Sequence, residues 1–181
     1  MLRVACLAFP LVALALLGGC SDPVPPTPQG AFSVQFSDTG VDCSIASHRS
    51  EAGDIDASKR TTVLVDGVEG ASVTCSVSGT GPFDVSAKIF FGSDGINLSI
   101  PAINVGATEM SPATGALSFF SDRTAGDAFS SSQCNFYFKE GTGQGVAAGK
   151  LWVSFACPEV VESQNKCGIT ESHVIIENCE Q

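Results

Sequence analysis

From Phe32 onward, apolar and polar residues alternate in short runs, and clusters of Gly, Pro, Asp and Ser separate these runs. In the first run Phe32, Val34 and Phe36 alternate with polar residues, which puts the apolar side chains on one face of an extended strand. Apolar spacing typical of a helix is nearly absent. The pattern predicts an antiparallel all-β domain with strands over residues 31–37, 41–46, 61–65, 71–77, 83–91, 96–100, 116–120, 133–139, 146–157 and 170–178.

Many short strands with tight connections favour a two-sheet β-sandwich or jelly roll over a single open sheet. The clearest turns are the Gly-containing segments 79–82, 93–95 and 141–145. Residues 47–60 and 106–115 are polar and non-periodic, which predicts a long loop or a short helix in each. The inward faces are predicted to hold alternating apolar residues and cysteines, namely Val73, Cys75, Val77, Phe83, Val85, Ala87, Ile89, Phe91, Cys134, Phe136, Phe138, Leu151, Val153, Phe155 and Cys157.

The composition agrees with a β-rich domain and narrows the range of partners. Charged residues make up 15% of the chain, and 9 Lys+Arg stand against 19 Asp+Glu, which gives a formal net charge of −10. Nucleic acid is not expected as a partner, because phosphate binding needs a basic surface. No cofactor is predicted, since the sequence contains no motif for one.

The first 19 residues have the form of an export signal. Arg3 is their only charged residue, and the apolar run over 4–17 is shorter than the roughly 20 residues that a membrane-spanning helix needs. The sequence Leu17-Gly18-Gly19-Cys20 resembles the lipobox of bacterial lipoproteins. In layout, the whole chain is similar to small bacterial envelope lipoproteins that carry a disulfide-bonded all-β domain.

The lipobox resemblance implies that residues 1–19 are removed and that Cys20 carries lipid. Two or three acyl chains hold a protein stably on a membrane. In Gram-negative lipoproteins an Asp after the modified Cys retains the protein in the inner membrane, whereas this chain has Ser21, so the outer membrane is the expected location. Residues 20–30 are rich in Pro and are predicted to form an extended tether, which leaves 31–181 as the folded domain.

The cysteines of the predicted domain form an even set. Of the 8 Cys in the chain, Cys6 falls in the leader and Cys20 in the lipobox, which leaves 8 − 2 = 6. In an exported domain such a set predicts three disulfide bonds, and the wide spacing argues against a metal site. The cysteines concerned are Cys43, Cys75, Cys134, Cys157, Cys167 and Cys179.

Spacing alone leaves the pairing of these cysteines open. The order of the predicted strands along the chain favours the pairs Cys43–Cys75, Cys157–Cys167 and Cys134–Cys179. The pair Cys134–Cys157 is the rival, because folding the chain about Gly145 would place those two cysteines directly opposite each other.

Histidine is the main candidate for chemistry, and the chain has only 2 His. His48 lies in a polar segment, whereas His173 and Glu171 are two residues apart in the last predicted strand and would face the same side. Such a pair either serves as a general base or forms an exposed ion pair. The sequence contains no GxSxG, HExxH, SxxK or Walker A motif, so no enzyme is predicted. An envelope hydrolase that uses His173 and Glu171 is the alternative.

Scattered acidic residues offer oxygen ligands for calcium. Asp54 and Asp56 lie in the long polar segment, and Asp94 and Asn97 lie near a turn, but neither pair has the spacing of a dedicated calcium loop. The expected role of these carboxylates is therefore that of solvated turn residues, and no metal site is assigned.

The only Tyr and the only Trp are predicted to be near neighbours on the outer face of the sheet. The register set by a Cys134–Cys157 bridge places Tyr137 opposite Ser154 and Lys139 opposite Trp152. An exposed aromatic pair rimmed by Asn, Ser and Lys is a common way for a β-sandwich to bind a sugar or a partner strand. Tyr137 and Trp152 are therefore the candidate ligand-binding residues, with simple stabilisation of the hairpin as the alternative.

These features together predict a lipid-anchored lipoprotein of the cell envelope with a disulfide-bonded β-sandwich. The expected role of the domain is that of a binding or structural module. Its expected partners are the membrane, through the lipid, and a glycan or an envelope protein.

Overall fold

The structure is a computed structural model that describes residues 25–40 and 42–181. The predicted leader, the lipobox with Cys20 and part of the tether lie outside the described residues. Within the described residues the only helical segment is a 3-10 turn at Asp122–Thr124, and all other regular structure is strand. The predicted all-β antiparallel class is confirmed. No helix in this part of the chain is long and apolar enough to cross a membrane.

Alternating segments form the strands, because every second side chain reaches the same face and the apolar set packs against the core. The alternation of buried and exposed residues is most regular in the strand Phe83–Phe91. The strands are β1 (Gln29–Ser37), β2 (His48–Ala52), β3 (Asp54–Ile55), β4 (Arg60–Thr62), β5 (Leu64–Val65), β6 (Ser72–Gly79), β7 (Phe83–Phe91), β8 (Asp94–Ile103), β9 (Ala113–Phe120), β10 (Phe129–Tyr137), β11 (Gly145–Ala147), β12 (Lys150–Glu162) and β13 (Asn165–Glu177).

One 11-stranded sheet has the order β2-β1-β13-β12-β10-β9-β8-β7-β6, with β5 paired to β1 and β11 paired to β12 beside this path. Strands β3 and β4 form a separate hairpin. The large sheet curls until its two ends pack together, so that a Cβ added to Gly30 in β1 would lie 2.8 Å from the Ile89 side chain in β7. The two layers expected from the sequence are therefore two parts of one continuous curled sheet.

Aromatic and branched side chains fill the inner face of this sheet. The rings of Phe36 and Phe129 meet edge to face with centroids 5.1 Å apart, and those of Phe136 and Phe155 stack at 5.6 Å. Burial of this apolar surface is the main stabilising contribution to the fold. The largest fully buried side chains are Phe32, Phe36, Phe119, Phe129, Phe136, Phe155, Ile55, Ile89, Ile96, Leu98, Ile100 and Ile103.

The predicted strand 41–46 and the predicted loop 47–60 are both wrong in part. Residues 42–46 form no strand, whereas β2, β3 and the first residue of β4 lie within the segment predicted as a loop. The buried side chains of β2 are Ser50 and Ala52, which are small or polar. They leave no hydrophobic alternation in the sequence, although β2 is fully paired with β1.

Several further details differ from the prediction. The predicted strand 146–157 is divided into β11 and β12, because the chain turns at Gly149, which has a φ of 75° that glycine adopts readily. Gln29 and Gly30 belong to β1 rather than to the tether. Phe91, predicted to be inward, is 36% exposed at the end of β7.

Three disulfide bonds are present, as predicted, and they join Cys43–Cys167, Cys75–Cys179 and Cys134–Cys157. The rival pairing of Cys134 with Cys157 is confirmed, and it follows from the register of β10 on β12. The favoured pairings of Cys43 with Cys75, Cys157 with Cys167 and Cys134 with Cys179 are wrong. The physical reasons are that β13 lies beside β1, which brings Cys167 to the segment after β1 that holds Cys43, and that the curl of the sheet brings Cys179 to β6.

The C-terminal residues cover the edge strand β6. The Val77 N–H donates to the Glu180 carbonyl at 2.8 Å, and the Glu180 N–H donates to the Cys75 carbonyl at 3.0 Å. The Gly149 N–H donates to the Val77 carbonyl at 2.9 Å, and the Cys179 N–H donates to the Gly149 carbonyl at 3.0 Å. Together with the Cys75–Cys179 bridge, these bonds pair backbone groups that an edge strand otherwise exposes.

Candidate functional site

Part of the outer face of the sheet is covered by other segments of the chain. Ala31 of β1 and Ile175 of β13 pack against Ile55 of the β3–β4 hairpin, and Val63 and Trp152 add to this small apolar cluster. The cluster is separate from the main core on the inner face. The sheet therefore has a second buried layer, and the side chains at its margin are the candidates for a site.

A row of polar side chains crosses four strands beside this apolar cluster. Ser33 pairs with His173, His173 pairs with Ser154, and Ser154 pairs with Tyr137. Their exposed fractions are 3% for Ser33, 7% for His173, 0% for Ser154 and 5% for Tyr137. Buried polar groups are stable only when they are hydrogen-bonded, so the partners of this row decide what it can do.

Gln144, in the loop between β10 and β11, ties the polar row to the hairpin. Its Nε2 donates to the Ser154 Oγ at 2.9 Å and to the Ala57 carbonyl at 3.1 Å. Its Oε1 accepts the backbone N–H of Lys139 at 3.0 Å. The Ser154 Oγ also lies 3.1 Å from the His173 Nδ1. One amide side chain therefore links the covering loop, the hairpin and the sheet.

His173 lies between the Ser154 hydroxyl and a surface ion pair. Its Nε2 is 3.7 Å from the Glu171 Oε1, and the same carboxylate oxygen pairs with the Lys139 ammonium. Burial lowers the pKa of His173 below its ordinary value of 6.5, against the opposing effect of Glu171, and Lys139 lowers the pKa further. The imidazole is therefore neutral at pH 7. The two side chains do not form the exposed ion pair considered from the sequence, because Glu171 is exposed and His173 is buried.

Ser154, His173 and Glu171 are the residue types of a serine-hydrolase triad. Ser154 has no exposed surface, however, and Gln144 bonds directly to its hydroxyl. A substrate atom reaches the Ser154 Oγ only if the loop that carries Gln144 moves away. In the folded arrangement these groups hold the loop in place.

Acidification below pH 6.5 is expected to destabilise the fold through His173, since the pKa of this residue is lowered from 6.5 on folding. Between the folded and unfolded pKa values the unfolded chain binds a proton that the folded chain does not. Protonation of His173 therefore leaves the free energy of unfolding unchanged above pH 6.5. Below pH 6.5 it lowers that free energy, by up to about 1.4 kcal/mol per pH unit. Urea unfolding between about pH 5 and 7.5 measures this slope.

His173→Gln is expected to flatten that pH dependence, because its side chain does not titrate. His48→Gln is the matched control, since His48 is the other of the 2 His and packs on the Phe36 ring with centroids 5.0 Å apart. The control keeps His173 and should therefore keep the part of the slope that His173 produces. A wild-type slope in the His173 variant would contradict the prediction.

The exposed aromatic pair predicted from the sequence is wrong. Tyr137 faces Ser154 as predicted, but it is buried, and burial raises the pKa of its phenol. Strand β10 ends at Tyr137, and β11 continues the pairing with β12, so Trp152 faces Gly145 rather than Lys139. Trp152 is half-buried. Of the two candidate ligand-binding residues, only Trp152 remains near solvent.

Two of the three carboxylates considered as calcium ligands, Asp56 and Asp94, cap turns or neighbouring segments. Asp56 accepts the Ser58 backbone N–H at 2.7 Å, and this bond is the main reason that the pKa of Asp56 is lowered. Asp94 accepts the Ser50 hydroxyl at 2.8 Å and the Asp122 backbone N–H at 3.1 Å. In the part of the chain that the structure describes, no group of three or more His, Cys, Asp or Glu residues is placed to hold a metal ion.

Sequence reasoning missed Gln144 and its contact with the hairpin, and it named Ser154 only as a neighbour of Tyr137. Gln144 stands in a Gly-rich turn, and its partner Ala57 is 87 positions away. Ser154 carried the only local signal, since it is a hydroxyl residue in the otherwise apolar run Leu151–Cys157. A contact between segments so far apart along the chain follows from the sheet order, which local patterns do not specify.

The chain matches no protein-family model, no curated protein and no solved structure. Its function is therefore argued from its own residues.

Proposed function

We propose that this protein is an exported lipoprotein, held at the cell envelope by lipid on Cys20, whose β domain is a binding or structural module. The observation that carries the proposal is the disulfide pairing, which uses every cysteine after Cys20. Structural disulfides persist outside the cytosol and are rare within it, which supports export. With the leader removed, Cys20 is the one cysteine left for acylation.

The start of the domain is compatible with a membrane anchor close by. The Thr27 carbonyl accepts a hydrogen bond from the Asn178 side chain at 3.1 Å, and the Pro28 carbonyl accepts the Asp66 N–H at 3.0 Å. Attachment to the domain therefore begins at Thr27. The segment from Cys20 to Thr27 spans at most roughly 25 Å when fully extended, which would keep the domain near the membrane surface.

A non-enzymatic role is supported by the burial of the most reactive groups. Ser154 is fully buried and His173 is nearly so, and both are engaged with the loop that carries Gln144. The arrangement favours stabilisation of the fold over turnover of a substrate. Ser21, in place of the Asp of inner-membrane lipoproteins, supports the outer membrane as the location.

Cys20→Ser is expected to abolish acylation and to release the protein from the membrane fraction. A serine hydroxyl does not replace the thiol in the thioether to diacylglycerol, and a protein without acyl chains has no stable hold on the bilayer. The measurement is incorporation of an alkyne palmitate analogue by cells that express the full chain, followed by fractionation.

Cys6→Ser is the matched control, because Cys6 is the other cysteine outside the disulfides. This variant should be labelled as strongly as the wild type. Label on the Cys20 variant, or no label on the wild type, would refute the proposal. Separation of the two membranes on a density gradient tests the location, and Ser21→Asp is expected to move the protein to the inner membrane.

A further inference from the structure

A small cavity lies beside Trp152, at the margin of the covered outer face. Its volume is about 220 Å³, and its polar and glycine lining consists of Arg60, Gly143, Gly145, Lys150, Trp152 and Glu177. Apolar side chains of β11, β12 and β13 complete the wall. Typical pockets for drug-sized ligands measure about 300–1,000 Å³, so this cavity suits a smaller molecule.

The indole of Trp152 has an unused hydrogen-bond donor. Its Nε1 is the one buried side-chain nitrogen or oxygen without a partner among residues 25–40 and 42–181. Native proteins rarely leave such a donor unpaired, because the lost hydrogen bond to water is not replaced. The ring itself is held by the apolar cluster around Ile175. Trp152 therefore combines a fixed apolar surface with a free donor.

Two glycines keep the space beside the indole open. Gly145 lies directly opposite Trp152 in the β11–β12 pairing, and a Cβ added at Gly145 would meet no atom within 4 Å. A Cβ added at Gly143 would lie 3.8 Å from the ring. The absence of side chains at these two positions makes room for a ligand against the ring.

The cavity is positively charged although the chain is acidic. The Arg60 guanidinium forms two hydrogen bonds with the Glu177 carboxylate, one of them 2.8 Å long. Lys150 is the third charged residue of the lining and is exposed. Two cations and one anion give 2 − 1 = +1, in a chain of formal net charge −10. This charge is complementary to an anionic group on a ligand.

We propose that the cavity binds a single carboxylate-bearing sugar residue. The sugar ring packs against the accessible part of the Trp152 indole. The ligand carboxylate pairs with Lys150, and a sugar hydroxyl donates to Glu177. Tyr137 takes no part, so this site differs from the open aromatic platform that the sequence predicted. The site does not depend on the anchor at Cys20.

The test is a titration of the purified full chain with D-glucuronate, followed by the fluorescence of its only Trp and by the single indole N–H resonance in NMR spectra. A saturable change in both signals is expected. D-glucose lacks the carboxylate and acetate lacks the sugar ring, so each is expected to bind at least about tenfold more weakly. No saturable change with D-glucuronate, or equal affinity for D-glucose or acetate, would overturn the proposal.

Gly145→Val is expected to abolish the response, because its side chain would stand beside the indole in the space meant for the sugar. Gly106→Val is the control, since a Cβ there also meets no atom within 4 Å but lies far from Trp152 along the chain, in the turn after β8. Lys150→Gln should weaken binding about tenfold without filling the cavity. Wild-type affinity in both the Gly145 and Lys150 variants would overturn the proposal, whereas Cys20→Ser should bind as the wild type does.

Discussion

Replacing Cys75 and Cys179 together by Ala is expected to lower the free energy of unfolding by about 5 kcal/mol. The bridge joins residues separated by 104 positions, so its loss frees a long loop of the unfolded chain. That loss is comparable with the whole stability of many domains of this size. We therefore expect a variant that is largely unfolded at 37 °C or close to it.

The position of this bridge adds to its effect. It fixes Cys179 beside β6, where the Glu180 backbone is hydrogen-bonded to Cys75 and Val77. Without the bridge the C-terminal residues are expected to detach and to expose the edge of β6. An exposed edge strand favours pairing between molecules, so the variant should also aggregate.

Cys134→Ala with Cys157→Ala is the matched control. Those cysteines are only 23 positions apart and lie on β10 and β12, which are already paired by backbone hydrogen bonds. The expected loss is about 3 kcal/mol. Denaturant unfolding followed by the fluorescence of Trp152 measures both variants. A control that loses as much stability as the Cys75–Cys179 variant would contradict the role assigned to the C-terminal closure.

Gly115→Ala is expected to cost about 2–3 kcal/mol of stability, which is at the upper end for overpacking of a core by one methyl group. Gly115 lies in β9 between β8 and β10. An added Cβ would lie 2.6 Å from the Ser99 carbonyl oxygen, 2.9 Å from the Phe136 ring and 3.2 Å from the Ile100 Cα. Two of these neighbours are backbone atoms of a central strand, so the strand cannot move aside without loss of pairing.

Gly145→Ala is the control for this substitution, because Gly145 also lies in a strand but has no atom within 4 Å of an added Cβ. Its stability is expected to change by less than about 0.5 kcal/mol, with a small gain from the lower entropy of the unfolded chain. Thermal and denaturant unfolding of the two variants compare the two glycines directly. Equal losses of stability in the two variants would show that the close neighbours of Gly115 are not the reason that glycine is needed there.

The site in the second buried layer is expected to link stability to pH, and it contacts the covering loop. His173 is kept neutral by burial, and its partner Ser154 is bonded to Gln144 of that loop. The loop also contains Gly143 and leads into Gly145, both of which line the cavity beside Trp152. Protonation of His173 is therefore expected to weaken the hydrogen bonds that hold this loop, which forms one wall of the proposed sugar site.

Much of the fold was predictable because most strands bury every second side chain. The inward residues Val85, Ala87 and Ile89 of β7 illustrate this, since each is at most 2% exposed. The prediction failed at β2, where the buried residues Ser50 and Ala52 leave no hydrophobic signal. It also failed at Phe91, because the end of β7 extends beyond the core.

Less of the candidate site was predictable. The sequence pointed to Trp152 and His173, and both belong to the covered outer face. The prediction of an open aromatic pair failed because Tyr137 is buried, and because Gln144 and the β3–β4 hairpin close over Ser154, which faces it. Whether an outward-facing side chain meets solvent depends on segments distant in the chain, which strand alternation does not report.

The sequence by itself determined the β class, the inward and outward faces of most strands, the presence of three disulfides and the expectation of a lipid anchor at Cys20. Each of these depends on residue type and on short spacing along the chain. Only the tertiary structure decided the disulfide partners, the single curled sheet, the buried row through Ser154 and His173, and the cavity beside Trp152. These features depend on the order of the strands, in which β13 lies between β1 and β12, and on the curl of the sheet, and contacts between residues so far apart have no local signature.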